Sequence, residues 1–99
     1  HNAAEAIRMT EERAAAMAKN KELNDAFNGG MEALKTRNWQ TAVEQFEKAS
    51  TLDAKQHVIF AQLAESYMGL GGTKTGQEQV DAQTKGLEAY GKAIELKPD

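Results

Sequence analysis

Apolar side chains recur along this chain at helical spacing, and one such pattern occurs twice. The stretches 43–54 (V-E-Q-F-E-K-A-S-T-L-D-A) and 87–98 (L-E-A-Y-G-K-A-I-E-L-K-P) align without a gap. In each stretch the apolar residues fall at positions i, i+3, i+6 and i+9, which lie on one side of a helix. Glutamate, lysine, alanine and leucine recur at identical places, so the chain uses one helical building block twice.

The first third of the chain is predicted to be helical, but its division into helices stays open. Residues 3–22 hold strong helix formers without glycine or proline, and residues 23–36 continue the helical pattern. Asn20 can cap a new helix, or one helix can run unbroken to about Lys35. Residues 3–22 carry only a narrow apolar stripe, so this segment needs a surface to pack on.

Two adjacent glycines lie inside the second of these segments. Gly29 and Gly30 each cost a helix roughly 1 kcal/mol relative to alanine. We therefore expect another helix to approach closely at this point, because glycine leaves room for it.

Capping signals predict where the later helices begin. Asn38 is a suitable N-cap for a helix over 39–52. Asp53 together with Gln56 fits a capping box for a helix over about 54–70. These two signals predict a short connection on either side of the first repeated stretch.

Glycine and proline bound the last helix. Gly71 and Gly72 end the preceding helix, and Thr75 with Glu78 fits a second capping box. The last helix then extends to the residue before Pro98, which ends it.

The helices between the repeated stretches also correspond to each other. The spacing is 34 residues, from Ala26, Gly29, Gly30 and Ala33 to Phe60, Leu63, Ala64 and Tyr67. A 34-residue helix–turn–helix unit of this kind resembles the tetratricopeptide repeat, whose pattern is W-x2-L-G-x2-Y, then A-x3-F, A and P. The second copy matches with Phe60-x2-Leu63-Ala64-x2-Tyr67, Gly86-x3-Tyr90, Ala93 and Pro98. The first copy matches with Gly30, Ala42-x3-Phe46, Ala49, and Ala54 in place of the proline.

This resemblance covers residues 23–99 and implies an all-α fold. The expected architecture is a fragment of an α-solenoid with about two helix–turn–helix repeats. Residues 1–22 form an N-terminal helix, residues 23–56 the first tetratricopeptide-like repeat, and residues 57–99 the second.

Two departures from the family pattern carry structural expectations. The first copy has small residues at large family positions, so either the packed helix comes unusually close or the N-terminal helix fills the space. The second copy holds about ten inserted residues within 71–83. We interpret them as a short glycine loop followed by two to three extra turns on the last helix; the alternative is a longer disordered loop.

The resemblance also implies a concave groove, lined by the first helix of each repeat, in which family members bind peptides. The corresponding positions are Asn24, Phe27, Asn28, Met31, Leu34 and Lys35, then Val58, Ala61, Gln62, Glu65 and Met68. The lysine and asparagine clamp of chaperone-binding members is absent, because its positions hold Phe27, Met31 and Gln62. An apolar or helical partner is therefore expected. The alternative is that the N-terminal helix covers these residues.

Protein interaction is thus the expected function, with a protein or peptide as the partner. The alternative is self-association, or service as a spacer module in a larger protein. The last helix carries Val80, Leu87, Tyr90 and Ile94, and any of these left exposed would favour a homodimer. Trp39 is expected to pack between the two helices of its own repeat.

Composition and charge exclude several other classes. The net charge is −3, from 12 basic and 15 acidic residues mixed along the chain of 99 residues, whereas a nucleic-acid surface would show a basic face. There is no cysteine, so no disulfide forms. No apolar run is long enough to span a membrane. We expect a soluble fragment of a longer protein, since the chain begins without methionine, and its compartment is left unassigned.

Catalytic and metal chemistry find little support in the sequence. His57 has no second histidine or cysteine nearby for metal ligation. The amine and imidazole of His1 can together hold copper, but a residue left by cloning is the favoured explanation. We expect no enzymatic activity, cofactor or metal.

Overall fold

The computed structural model describes residues 2–98, and all regular structure within them is helical. The elements are α1 (Ala3–Lys35), α2 (Trp39–Leu52), α3 (His57–Gly71) and α4 (Gly76–Leu96). The expected all-α class is confirmed. His1 and Asp99 lie outside the described residues, and the expectation for His1 lies there with them.

Each helix packs on the next one along the chain. Extensive contacts join α1 to α2, α2 to α3 and α3 to α4, whereas α1 and α3 barely touch. Short connections fold each helix back on its predecessor. The resulting body is elongated, with extents of 62 × 30 × 22 Å.

The first helix is a single element of 33 residues, so the choice between one helix and two is settled. It begins at Asn2, whose side-chain oxygen accepts a hydrogen bond from the Glu5 amide at 2.7 Å. We call residues 3–22 the arm; all of them are exposed, and the arm meets the body only near its end, where Ala16, Lys19 and Asn20 line an open depression with residues 51–55. The arm extends about 30 Å. It neither fills the space beside the small residues of α1 nor covers the expected groove.

The predicted close approach at the paired glycines is confirmed. A Cβ atom on Gly30 would lie 2.6 Å from the ring of Phe46 in α2. Phe46 is completely buried and meets Phe27 of α1 edge to face, with 5.6 Å between the ring centroids. Gly30 therefore lets a large ring of α2 fit directly against the backbone of α1.

Two apolar clusters make up the core of the body. The smaller one joins α1, α2 and α3 through Ala26, Ala49 and Ile59. The larger one draws on all four helices and consists of Ala33, Ala42, Val43, Phe46, Leu63, Ala64, Tyr67 and Ala89. Half of these eight residues are alanine, so the helices pack at short distance and Phe46 supplies much of the side-chain volume.

The caps of the middle helices match the prediction in part. Asn38 caps α2 as expected, its oxygen accepting a hydrogen bond from the Thr41 amide at 3.4 Å. The capping box predicted for α3 is wrong, because the Gln56 side chain donates to the Asp53 carboxylate at 2.7 Å instead. Since these two side chains satisfy each other, α3 begins at His57, later than predicted.

The inserted residues of the second copy are helical, as predicted. α4 is 21 residues long and α2 is 14, and the difference of seven is about two turns. The alternative of a longer disordered loop is wrong. Thr75 stands at the N-cap of α4 but makes no side-chain capping bond, so its predicted capping box with Glu78 is wrong too. Gly76 follows with φ +60°, a backbone conformation that favours glycine.

Trp39 lies elsewhere than expected. Its ring rests on Gly69 of α3, where no Cβ would fit. The side chain thus packs on the following helix, outside its own repeat, and it adds to the α2·α3 packing.

The two adjacent glycines of α1 should respond oppositely to alanine. Gly30→Ala places a methyl group against the immobile Phe46 ring, and we expect it to lower the free energy of unfolding by about 1–2 kcal/mol. Gly29→Ala is the matched control, because its Cβ would lie 3.4 Å from the end of the flexible Gln45 side chain, which can move aside. It should raise stability by about 0.5–1 kcal/mol through helix propensity. Urea unfolding followed by circular dichroism measures both, and equal effects would contradict the close approach.

Candidate partner-binding site

An open depression of about 540 Å³ lies between α1 and α3. Its lining residues come from the exposed sides of these two helices: Asn28, Met31, Glu32, Leu34, Lys35, Gln62 and Glu65. Every one of them except Glu32 belongs to the nine principal groove positions expected from the sequence. The structure therefore brings six of those nine residues together.

The depression exists because α1 and α3 pack on α2 and hardly on each other. Asn28, Met31 and Lys35 follow one another at i, i+3 and i+7, so they project from one side of α1. Gln62 and Glu65 stand at i and i+3 on α3 and face the same opening. Helical spacing thus groups the lining residues on each helix, and the packing of α1 and α3 on α2 brings the two groups together.

The lining of the depression combines apolar and charged side chains. Met31 is 40% exposed, although large apolar side chains are usually buried. Leu34 is half-buried and packs against the larger core cluster. Glu32, Glu65 and Lys35 add two carboxylates and one ammonium group to the lining. Such a surface suits an apolar side chain flanked by polar or basic groups.

Three of the expected residues lie outside the depression. Phe27 is half-buried and packs in the core against Phe46. Met68 lies against α4, where a Cβ on Gly86 would be 2.8 Å from its sulfur. Asn24 is exposed on α1 but does not line the opening. Of the two further family positions, Val58 is 42% exposed and Ala61 is half-buried.

Glu32 was missed because it has no counterpart among the family groove positions. Its position could have been found from helical spacing, since it follows Asn28 by four residues and precedes Lys35 by three. The expected alternative, in which the N-terminal helix covers the groove, is wrong: the arm continues α1 away from the body, and Met17 within it is 65% exposed.

A second depression, of about 270 Å³, lies between α2, α3 and α4. Tyr67 lines it and is almost buried, with the ammonium group of Lys85 5.8 Å from its ring centroid. Burial raises the pKa of the Tyr67 hydroxyl, and the neighbouring Glu47 carboxylate, its hydrogen-bond partner, raises it further together with Glu88. From the sequence, Tyr67 was identified only as a position of the repeat pattern.

Neither depression contains a recognisable centre for metal chemistry. Among residues 2–98, no three or more histidine, cysteine, aspartate or glutamate side chains are grouped to hold a metal ion. No helix in this part of the chain is both long and apolar enough to cross a membrane.

We compared the chain with protein-family models, with curated proteins and with solved structures, and found no match in any of the three comparisons.

Tyr67 should make stability fall at high pH. The pKa of Tyr67 is raised in the folded protein from its ordinary value of 10.0. Its contribution to the free energy of unfolding is therefore fully present below that ordinary pKa and is lost as pH rises through the folded pKa. Urea unfolding between pH 9 and about pH 12 should show this loss. Tyr67→Phe should reduce it, whereas the control Tyr90→Phe, which leaves Tyr67 in place, should not. An identical pH dependence in both variants would contradict this assignment.

Proposed function

We propose that this chain is a protein-interaction scaffold that binds a helical, largely apolar segment of another protein between α1 and α3. The observation that carries the proposal is the open depression with the exposed Met31 in its lining. A partner side chain entering there would cover apolar surface that no residue of the described chain covers, and such burial is the main source of binding energy.

The proposal includes a tetratricopeptide-like arrangement, with repeats at 23–56 and 57–99 after an N-terminal helix. Four observations support it: the repeated sequence in α2 and α4, the helix boundaries, the packing of each helix on the next, and a depression between the first helices of the two units. In this arrangement the extra turns of α4 are an insertion within the second repeat.

The depression favours a helix as the bound segment. A bound helix would meet the lining residues of α1 and α3 with side chains spaced at i, i+3, i+4 and i+7. Methionine adapts its shape to varied apolar side chains, which suits a surface that receives a helix. The arm continues this surface, because Met17 and Met31 lie 14 residues apart on the same side of α1.

The alternative function is self-association, or service as a spacer in a larger protein. The exposed arm favours it, since a helix of this length with so few tertiary contacts is marginal alone and gains stability from a partner. In either case the proposal assigns the chain no catalytic step, cofactor or metal.

The four methionines offer a direct test of the groove, because they lie in three different environments. Met31 is in the depression, Met9 and Met17 are on the arm, and Met68 lies against α4. We expect helical peptides selected from a displayed library to shift the carbon-13 methyl resonance of Met31 most strongly. Met31→Glu should weaken their binding by about tenfold or more, through lost apolar contact and carboxylate burial.

Met9→Glu is the control, since Met9 is a methionine on the arm that is more exposed than Met31, 58% against 40%. It should leave both binding and helicity unchanged. If the selected peptides shift only Met9, Met17 or Met68, or if they bind Met31→Glu as tightly as the original chain, the depression is not the binding site.

A further inference from the structure

The last helix, α4, has two apolar faces, and only one of them packs against another helix of the chain. Its inward face consists of small residues that pack against α3: Ala82, Gly86, Ala89 and Ala93, all buried. A second face adjoins it and carries the large residues Val80, Leu87, Tyr90 and Ile94, whose exposed fractions are 51%, 63%, 39% and 74%. The helix thus leaves its larger apolar side chains uncovered.

Charge is absent from this exposed face. On a helical projection, the face is completed by Gln83, Thr84 and Gly91, none of which carries a charge. The charged residues of the helix lie on the third side, namely Glu78, Asp81, Lys85, Glu88, Lys92 and Glu95. A surface helix ordinarily presents charged or polar residues opposite its core face, so this arrangement indicates an interface.

The first repeated stretch shows what covers such a face. Val43 and Phe46 of α2 correspond to Leu87 and Tyr90 of α4, and both are buried in the core cluster shared with α1 and α3. The repeated stretch is therefore covered by neighbouring helices in α2, whereas the corresponding side chains of α4 are exposed. An α-helix is the occupant that this internal comparison indicates.

The helix that covers this face of α4 cannot be α1 of a second copy stacked head to tail on the first. α3 approaches α2 with the buried residues Ile59 and Leu63, but the corresponding positions of α1 hold Asp25 and Gly29. Asp25 is exposed and pairs with Lys21 at 2.8 Å. Stacking this side of α1 on α4 would bury an ion pair against apolar side chains, which is unfavourable.

The exposed face of α4 is instead complementary to itself. Val80 and Ile94 each lie seven residues from Leu87, so an antiparallel pair of α4 helices opposes Val80 of one copy to Ile94 of the other. No charged residue lies in the contact, because the charged side of α4 faces away from it. The new contact would continue the existing α3·α4 interface around the helix.

We propose that two copies of this chain associate through α4 about a two-fold axis that passes near Leu87. The contact uses the same face on both copies, so it closes as a dimer and leaves nothing for a third copy. α4 makes no contact with α1, so the depression between α1 and α3 stays open in each copy. The dimer does not depend on the proposed peptide binding, and each can fail without the other.

Sedimentation equilibrium over a roughly thousandfold range of concentration tests the dimer. We expect a monomer–dimer equilibrium for the original chain. Leu87→Glu and Ile94→Glu should each weaken dimerisation by about 100-fold or more, since each change acts twice in a two-fold interface and places carboxylates in apolar contact. Circular dichroism should show unchanged helicity, because both positions are exposed in the single chain.

Two controls make the test specific. Met17→Glu introduces the same charge at an exposed apolar position on the arm, and Lys92→Ala changes the charged side of α4. Both should dimerise like the original chain. A monomer at every concentration, a dimer that survives Leu87→Glu and Ile94→Glu together, or dissociation caused by Met17→Glu would each overturn the proposal.

Discussion

The contact between Phe46 and the backbone of Gly30 determines how the other helices are arranged. It brings α2 against α1 at a distance that only glycine permits, and the Phe46 ring then fills the space between Phe27 and the core residues of α3. Because a close-packed interior tolerates little change in volume, this ring fixes how far α1 and α3 stand apart on α2. The depression between α1 and α3 is a consequence of that separation.

Small residues throughout the core make this contact unusually important. Alanine contributes little apolar area, so a body of this size depends on a few large side chains for its stability. Phe46 and Ile59 are among the largest side chains with almost no exposed surface. The remaining large apolar residues are unevenly distributed: those of α3 lie mostly inside, whereas those of the arm and α4 lie mostly outside. This distribution favours a protein whose outer helices meet partners.

Much of the fold could be predicted because it follows from local signals. The glycine pair at Gly71 and Gly72, the cap at Asn38 and the repeated apolar spacing each depend on neighbouring residues, and each matches the structure. The start of α3 was placed too early because Asp53 and Gln56 satisfy one another's hydrogen bonds, a choice that a capping pattern does not reveal. The continuity of α1 was undecidable, since the helix propensity of its residues is similar on both sides of Asn20.

The candidate site could be predicted where helix geometry alone decides which residues point outward. Asn28, Met31 and Lys35 share one side of α1 whatever the helix packs against. Phe27 and Met68 could not be placed in this way, because the volume left by neighbouring glycines decides their positions. Phe27 fills space beside the ring that Gly30 admits, and Met68 fills space that Gly86 leaves. Such gaps become known only when both helices of a pair are placed.

The central claim is that α1 has two parts: an exposed arm that meets the body only near residues 16–20, and a packed segment whose outer side is open for binding. Amide hydrogen exchange measured by mass spectrometry at low protein concentration tests it most directly. The account predicts that amides of residues 7–15 exchange about 100-fold faster or more than those of residues 26–35, although both lie in one helix. Equal protection along the whole of α1 would contradict it, because the arm would then be folded onto the body and the depression would not be free.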